Sequence, residues 1–187
     1  DPASIADGKL ELTAPNGTRV SLIEADPPLN IPKVKQTFVL TKMSDTDQWS
    51  EGRAGMQYRD LIPDRQGGYV VASHIRIPDG GPVPDYVHYH KILFQMIYCY
   101  KGWSRLVYED QGEPFVIEAG DCVLQPPQIR HQVLESSPGM EVIELTCPAV
   151  HETCVDHKIK LPTSSVDPRR LFNGQHFIRH EAAKTEW

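Results

Sequence analysis

The sequence predicts an all-β domain, on three observations. Sixteen prolines and thirteen glycines break the chain at short intervals. The segments between them are rich in Val, Ile, Tyr and Thr, and helical periodicity is scarce. Strand-like runs fall at Thr37 to Leu40, Gly68 to Ile77, His88 to Tyr100, Ser104 to Tyr108, Pro114 to Ile117, Asp121 to Leu124, His131 to Leu134 and Glu141 to Thr146. Turns at Asp79-Gly80-Gly81, Lys101-Gly102, Asp110-Gln111-Gly112 and Glu118-Ala119-Gly120 separate them. Short strands leave many unpaired edges, which closure hides, so a closed or double-sheet barrel is expected.

Around that barrel the ends read differently. Residues 1–36 form an expected N-terminal β-hairpin arm: Lys9 to Thr13 and Thr18 to Ile23 alternate as strands about an Asn16-Gly17 turn. The proline-rich stretch Asp26 to Pro32 then leads into a barrel over residues 37–160. One helical turn is expected within Ser44 to Gly55. Residues 161–187 make a mostly irregular C-terminal tail whose Phe172 and Phe177 are expected to pack back on the barrel.

A chain of 187 residues, 40% hydrophobic, can bury the core of one domain. Its formal charge of -6 argues against a general nucleic-acid binder. No apolar run reaches the roughly 18 residues of a membrane helix. Four cysteines without a close-spaced framework point to a reducing, cytoplasmic setting. Asn16-Gly17-Thr18 fits a glycosylation acceptor, a pattern that chance also produces. Because the first residue is Asp1, removal of an N-terminal segment stays open. The hairpin offers an edge to a second copy, so a homodimer is expected.

His88-Tyr89-His90 puts two imidazoles on one face of a strand, because alternate residues point the same way. Gln95 follows, then His131 after Gln125-Pro126-Pro127-Gln128-Ile129-Arg130. Three imidazoles and one oxygen donor can occupy part of the shell of a first-row divalent metal and leave positions open, as a catalytic ion requires. In a chain with eight histidines, a pair two apart also arises by accident.

The run from Gly81 through His88, His90 and Gln95 to Gly102 resembles the first motif of the cupin superfamily, and the run from Gly120 through Pro126 to His131 resembles the second. Together they span about fifty residues, and two ordered motifs are far more specific than one. The resemblance implies a double-stranded β-helix, the cupin jelly-roll barrel, with a metal inside near its open end. It implies His88, His90 and His131 as ligands, with Gln95 where cupins most often carry a glutamate. Gln128 stands at a usual glycine, Glu135 at a common asparagine, and Gly81 lies one residue further from the first histidine than usual.

Carried over to Gln95, the neutral amide would leave more positive charge on the centre and favour an anionic substrate chelating through two oxygens. A purely structural role, bonding a ligand histidine, is the alternative. Strand parity puts Ile97 and Cys99 with Gln95, and Ile129 and Val133 with His131, in a largely apolar small-molecule pocket. Tyr98, His74 and Arg76 are further polar candidates, and no general base is assigned. Cys147, His151, Cys154 and His157 could hold zinc on a helix, but Pro148 and Pro162 point to an extended run and four unrelated side chains. Cys99 and Cys122 read as buried core residues.

The resulting expectation is a metal-dependent enzyme acting on a small enolisable, phenolic or keto-acid substrate by dioxygenase-type oxidation. Its cofactor would be one divalent transition metal, Fe(II) first, with Zn, Ni, Mn or Cu as alternatives. A zinc-dependent isomerase or cyclase, or a non-catalytic binding cupin, are the competing readings.

Overall fold

The computed structural model describes residues 3–6, 9–22, 29–42 and 49–185. The chain divides into two compact units, Asp1–Asn30 and Ile31–Trp187. In the first, β1 (Ala3–Ala6), β2 (Lys9–Thr13) and β3 (Arg19–Leu22) form an antiparallel sheet in chain order. The Asn16-Gly17 turn closes the β2–β3 hairpin, with Gly17 at φ 83°. One strand more than the expected hairpin is present.

The second unit carries two antiparallel sheets. The larger has the order β16 (Ile178–His180), β12 (Cys122–Leu124), β9 (Phe94–Lys101), β14 (Met140–Cys147), β6 (Val71–Ile77), β5 (Gln57–Asp60) and β4 (Ser50–Glu51). The smaller has the order β11 (Phe115–Glu118), β10 (Trp103–Tyr108), β13 (His131–Ser136), β8 (His88–His90) and β15 (Thr153–Val155), and β7 (Gly81–Pro82) also pairs with β13. This is a jelly-roll β-barrel. Inward positions of both sheets meet in one core that includes Ile75, Ile77, Cys99, Leu106, Tyr108, Ile117, Val123, Ile129 and Val142. No helix among the described residues is long and apolar enough to cross a membrane.

Three departures from the sequence reading have local causes. The run from His88 to Tyr100 is two strands in different sheets, because the chain turns a corner at residues 91–93. There Lys91 N–H donates to the Glu152 carbonyl and Leu93 N–H to that of Cys147. Thr37 to Leu40 is no strand: Thr37 is held by Asp64 and Gln66 side chains, and Phe38 stands 93% exposed. Of Ser44 to Gly55, residues 44–48 lie outside the described residues, and Arg53–Gly55 forms a single 3-10 turn. In the tail, Phe172 is buried in the core, Phe177 packs on Tyr108 with ring centres 4.4 Å apart, and β16 adds to the sheet edge at β12.

Candidate metal centre

Strand register assembles the three histidines. His131 pairs directly with His88 across β13 and β8, and His90 pairs with Thr153 of β15. Directly opposed residues share a face, and so do His88 and His90 two apart, so all three rings turn into the barrel. Their centres are 4.1 Å (His88 to His131), 5.1 Å (His88 to His90) and 5.2 Å (His90 to His131) apart. One ring nitrogen from each lies within 4.8 Å of the others.

The outer partners orient the rings. His88 Nδ1 donates to the Tyr86 carbonyl at 2.7 Å and His131 Nδ1 to that of Ile129 at 3.0 Å; a carbonyl only accepts, so both Nε2 atoms carry a lone pair. His90 Nδ1 lies 2.8 Å from the Thr153 hydroxyl. Such contacts fix tautomer and orientation at a metal site. Burial pushes all three imidazoles toward the neutral form: His88 falls to about 4, and His90 and His131 well below their usual value, neighbouring positive charge adding to the effect. Neutral imidazoles with convergent lone pairs suit a divalent transition metal.

Gln95, at 1% exposure, is held in an amide network instead of pointing an unclaimed oxygen at the histidines. Gln125 Nε2 donates to Gln95 Oε1 at 2.8 Å and lies 3.2 Å from His131 Nε2, while Tyr108 OH donates to Gln125 Oε1 at 3.0 Å. Gln95 in turn hydrogen-bonds Glu144, a carboxyl on the neighbouring strand. The cavity thus holds a buried carboxyl, Glu144, on the strand next to the one that carries Gln95.

These groups face a cavity of about 460 Å³. Ile97 and Val133 line it as parity requires, among Val71, Ile75, Leu106, Met140 and Val142. Cys99 and Ile129 are buried in the core without lining it; burial pushes the Cys99 thiol up to about 11, away from nucleophilic use. Tyr98, His74 and Arg76 lie instead on the outer face, because their neighbours Ile97, Ile75 and Ile77 take the inward positions. There His74 Nε2 donates to Glu141 at 2.7 Å, and the Arg76 guanidinium sits 4.0 Å over the Trp49 ring.

Sequence reasoning missed Arg53, Tyr58, Glu144 and His151, all cavity residues. Glu144 alternates inward with Met140 and Val142, so the same parity argument could have found it. Burial raises its pKa, opposed by the Gln95 hydrogen bond. His151 faces His90 edge-on at 5.6 Å. Its sequence companions go elsewhere: Cys154 contacts Glu152, His157 meets Tyr86 edge-on, and Cys147 is buried in β14. Among the described residues, the three histidines are the group close enough to share an ion. Gln128, at the second motif's usual glycine, has φ 62°, so the backbone keeps the left-handed turn that glycine would favour.

No family model and no curated protein matches the chain. Among solved structures, an RmlC-like cupin from Shewanella frigidimarina matches with a TM-score of 0.50 and 23% identity, over 62% of this chain and 95% of that one. The fold is the cupin fold. KdgF from Halomonas sp. matches at 19% identity and a TM-score of 0.49, over 60% of this chain and 94% of its own. Oxalate decarboxylase from Bacillus subtilis matches at 18% identity and a TM-score of 0.47; 71% of this chain covers 34% of that longer one. In this fold the two runs bring their histidines to one point, and a buried carboxyl, Glu144, enters the same cavity from β14.

Proposed function

We propose that the chain is a metal-dependent enzyme that oxidises a small, mainly apolar substrate carrying an enolisable keto-acid or phenolic group, with dioxygenase-type chemistry. One observation carries this reading: three neutral imidazoles face a 460 Å³ cavity whose lining surface is mainly apolar and includes a single carboxyl, Glu144. That volume suits a small molecule.

His88, His90 and His131 would hold the ion, which when bound would draw the substrate's oxygens to it and, as iron, permit electron transfer to O2. The residues of the chain do the rest. Aliphatic side chains of β6, β9 and β14 hold the substrate body and exclude water. Glu144, with its pKa raised by burial, accepts the enol or phenol proton as the oxygen becomes anionic; a carboxyl tuned toward neutrality is effective in that role. Gln95 donates to Glu144 and keeps it aimed.

The test is O2 uptake by Fe(II)-loaded protein offered β-diketones, catechols and aryl-substituted 2-oxo acids, beside zinc-loaded protein. Substrate-dependent uptake with iron alone supports the reading. Equal turnover with zinc and no O2 consumption replaces it with isomerase or cyclase chemistry. Saturable binding without turnover under either metal makes the barrel a ligand binder.

A further inference from the structure

Arg53 enters the cavity from the 3-10 turn between β4 and β5, and its guanidinium is divided between two partners. Nη1 pairs with Asp85 Oδ1. Nη2 lies 3.0 Å from His88 Nε2. The Asp85 carboxylate is wholly buried and fixed by the backbone N–H groups of Tyr86 at 2.8 Å and Val133 at 3.0 Å. That end of the contact is anchored.

The other end is a conflict. His88 Nδ1 carries the hydrogen given to Tyr86, so Nε2 has one lone pair, and a guanidinium N–H only donates. A lone pair cannot serve an N–H and a metal ion together. We propose that Arg53 is a displaceable cap on the metal-facing nitrogen of His88, and that the guanidinium released when a metal takes that nitrogen receives a carboxylate of the substrate. The inference rests on the three histidines being a metal site.

Each part follows from position. A dication on His88 repels Nη2–H, while Asp85 retains Nη1, so the guanidinium turns about its anchored end and stays at the cavity wall. Its released N–H groups then face the space shared with Tyr58 and Glu144. An anionic oxygen is their natural partner, and a planar carboxylate matches the fork of an arginine. Gln125 approaches His131 Nε2 in the same way, at 3.2 Å, but it is neutral and held by Gln95 and Tyr108. Arg53 is therefore the charged cap. Metal and carboxylate binding become positively coupled, and the coupling is reciprocal.

The experiment measures zinc affinity by competition with a chelating dye, and benzoate affinity by calorimetry, on the full chain and on Arg53→Met and Arg53→Lys. Lysine keeps a positive charge against Asp85 but cannot also span to His88, so it separates loss of the cap from loss of charge and serves if the methionine variant does not fold. Both variants should bind zinc at least about tenfold more tightly, the scale of one charge-assisted hydrogen bond. Benzoate should bind zinc-loaded wild type, at least tenfold less well without zinc, and at least tenfold less well to zinc-loaded Arg53→Met. Unchanged or weaker zinc binding in Arg53→Lys overturns the cap, and full benzoate affinity in zinc-loaded Arg53→Met overturns the receptor. Wild type that takes up no zinc refutes the metal-site reading itself, and this inference with it.

Discussion

The amide network behind His131 can be tested by a double-mutant cycle on Gln125 and Tyr108. Replacing Gln125 with leucine keeps the volume approximately and removes its contacts to Gln95, Tyr108 and His131. Two buried groups lose a partner: the Tyr108 hydroxyl, on a residue 1% exposed, and the Gln95 carbonyl oxygen, also on a residue 1% exposed. A stranded buried group costs about 1–3 kcal/mol, so Gln125→Leu should cost about 2–6 kcal/mol. Tyr108→Phe alone strands only Gln125 Oε1 and should cost about 1–3 kcal/mol. In the double variant neither the Tyr108 hydroxyl nor Gln125 Oε1 remains to be stranded and only the Gln95 oxygen lacks its partner, so its cost should fall short of the sum by about 2–6 kcal/mol. Urea denaturation with a chelator present, at matched m-values, gives all three numbers. Additivity within about 0.5 kcal/mol would refute the argument that Tyr108 is satisfied through Gln125.

Further outcomes follow from the same geometry. With chelator present, stability should fall as pH drops from about 6.5 toward 4: the unfolded chain takes a proton that folded His88 refuses, which at 1.36 kcal/mol per pK unit is worth about 3 kcal/mol. Denaturation midpoints that stay level across that window would contradict the buried, neutral imidazoles. Glu144→Gln should lower turnover of any accepted substrate by about 10²–10⁴-fold while metal content stays at the wild-type level; a variant with undiminished turnover removes Glu144 from the chemistry. Gly102 has φ 74°, and a Cβ there would meet Ser137 Oγ at 2.3 Å and Met140 Cα at 3.2 Å. Gly102→Ala should therefore cost about 2 kcal/mol or more by thermal or urea unfolding, and an unchanged midpoint would contradict the tight turn between β9 and β10.

Much of the centre was legible because it depends on local periodicity. Alternation alone places His88 with His90 and Ile97 with Gln95, and the second motif delivers His131. What was hidden depends on pairing across the chain. β14 lies between β9 and β6, so although alternation alone turns Glu144 inward, its place on the strand next to Gln95 comes from a neighbour relation that no local pattern states. Arg53 comes from a short turn beside β5, whose Gln57-Tyr58-Arg59-Asp60 lacks apolar alternation and is a strand because β6 offers an edge. Thr37 to Leu40 shows the converse, with strong strand composition and side-chain contacts where a strand neighbour would be. Tyr98, His74 and Arg76 are polar candidates from neighbouring strands, and alternation against Ile97, Ile75 and Ile77 sends them outward.

The central claim is most directly tested by elemental analysis of protein purified without added metal or chelator, then reloaded with one transition metal, for wild type, His88→Ala and His131→Ala. Wild type should hold close to one equivalent per chain and each variant almost none, with circular dichroism showing the barrel intact. A full equivalent retained by either folded variant would place the ion elsewhere and end the account.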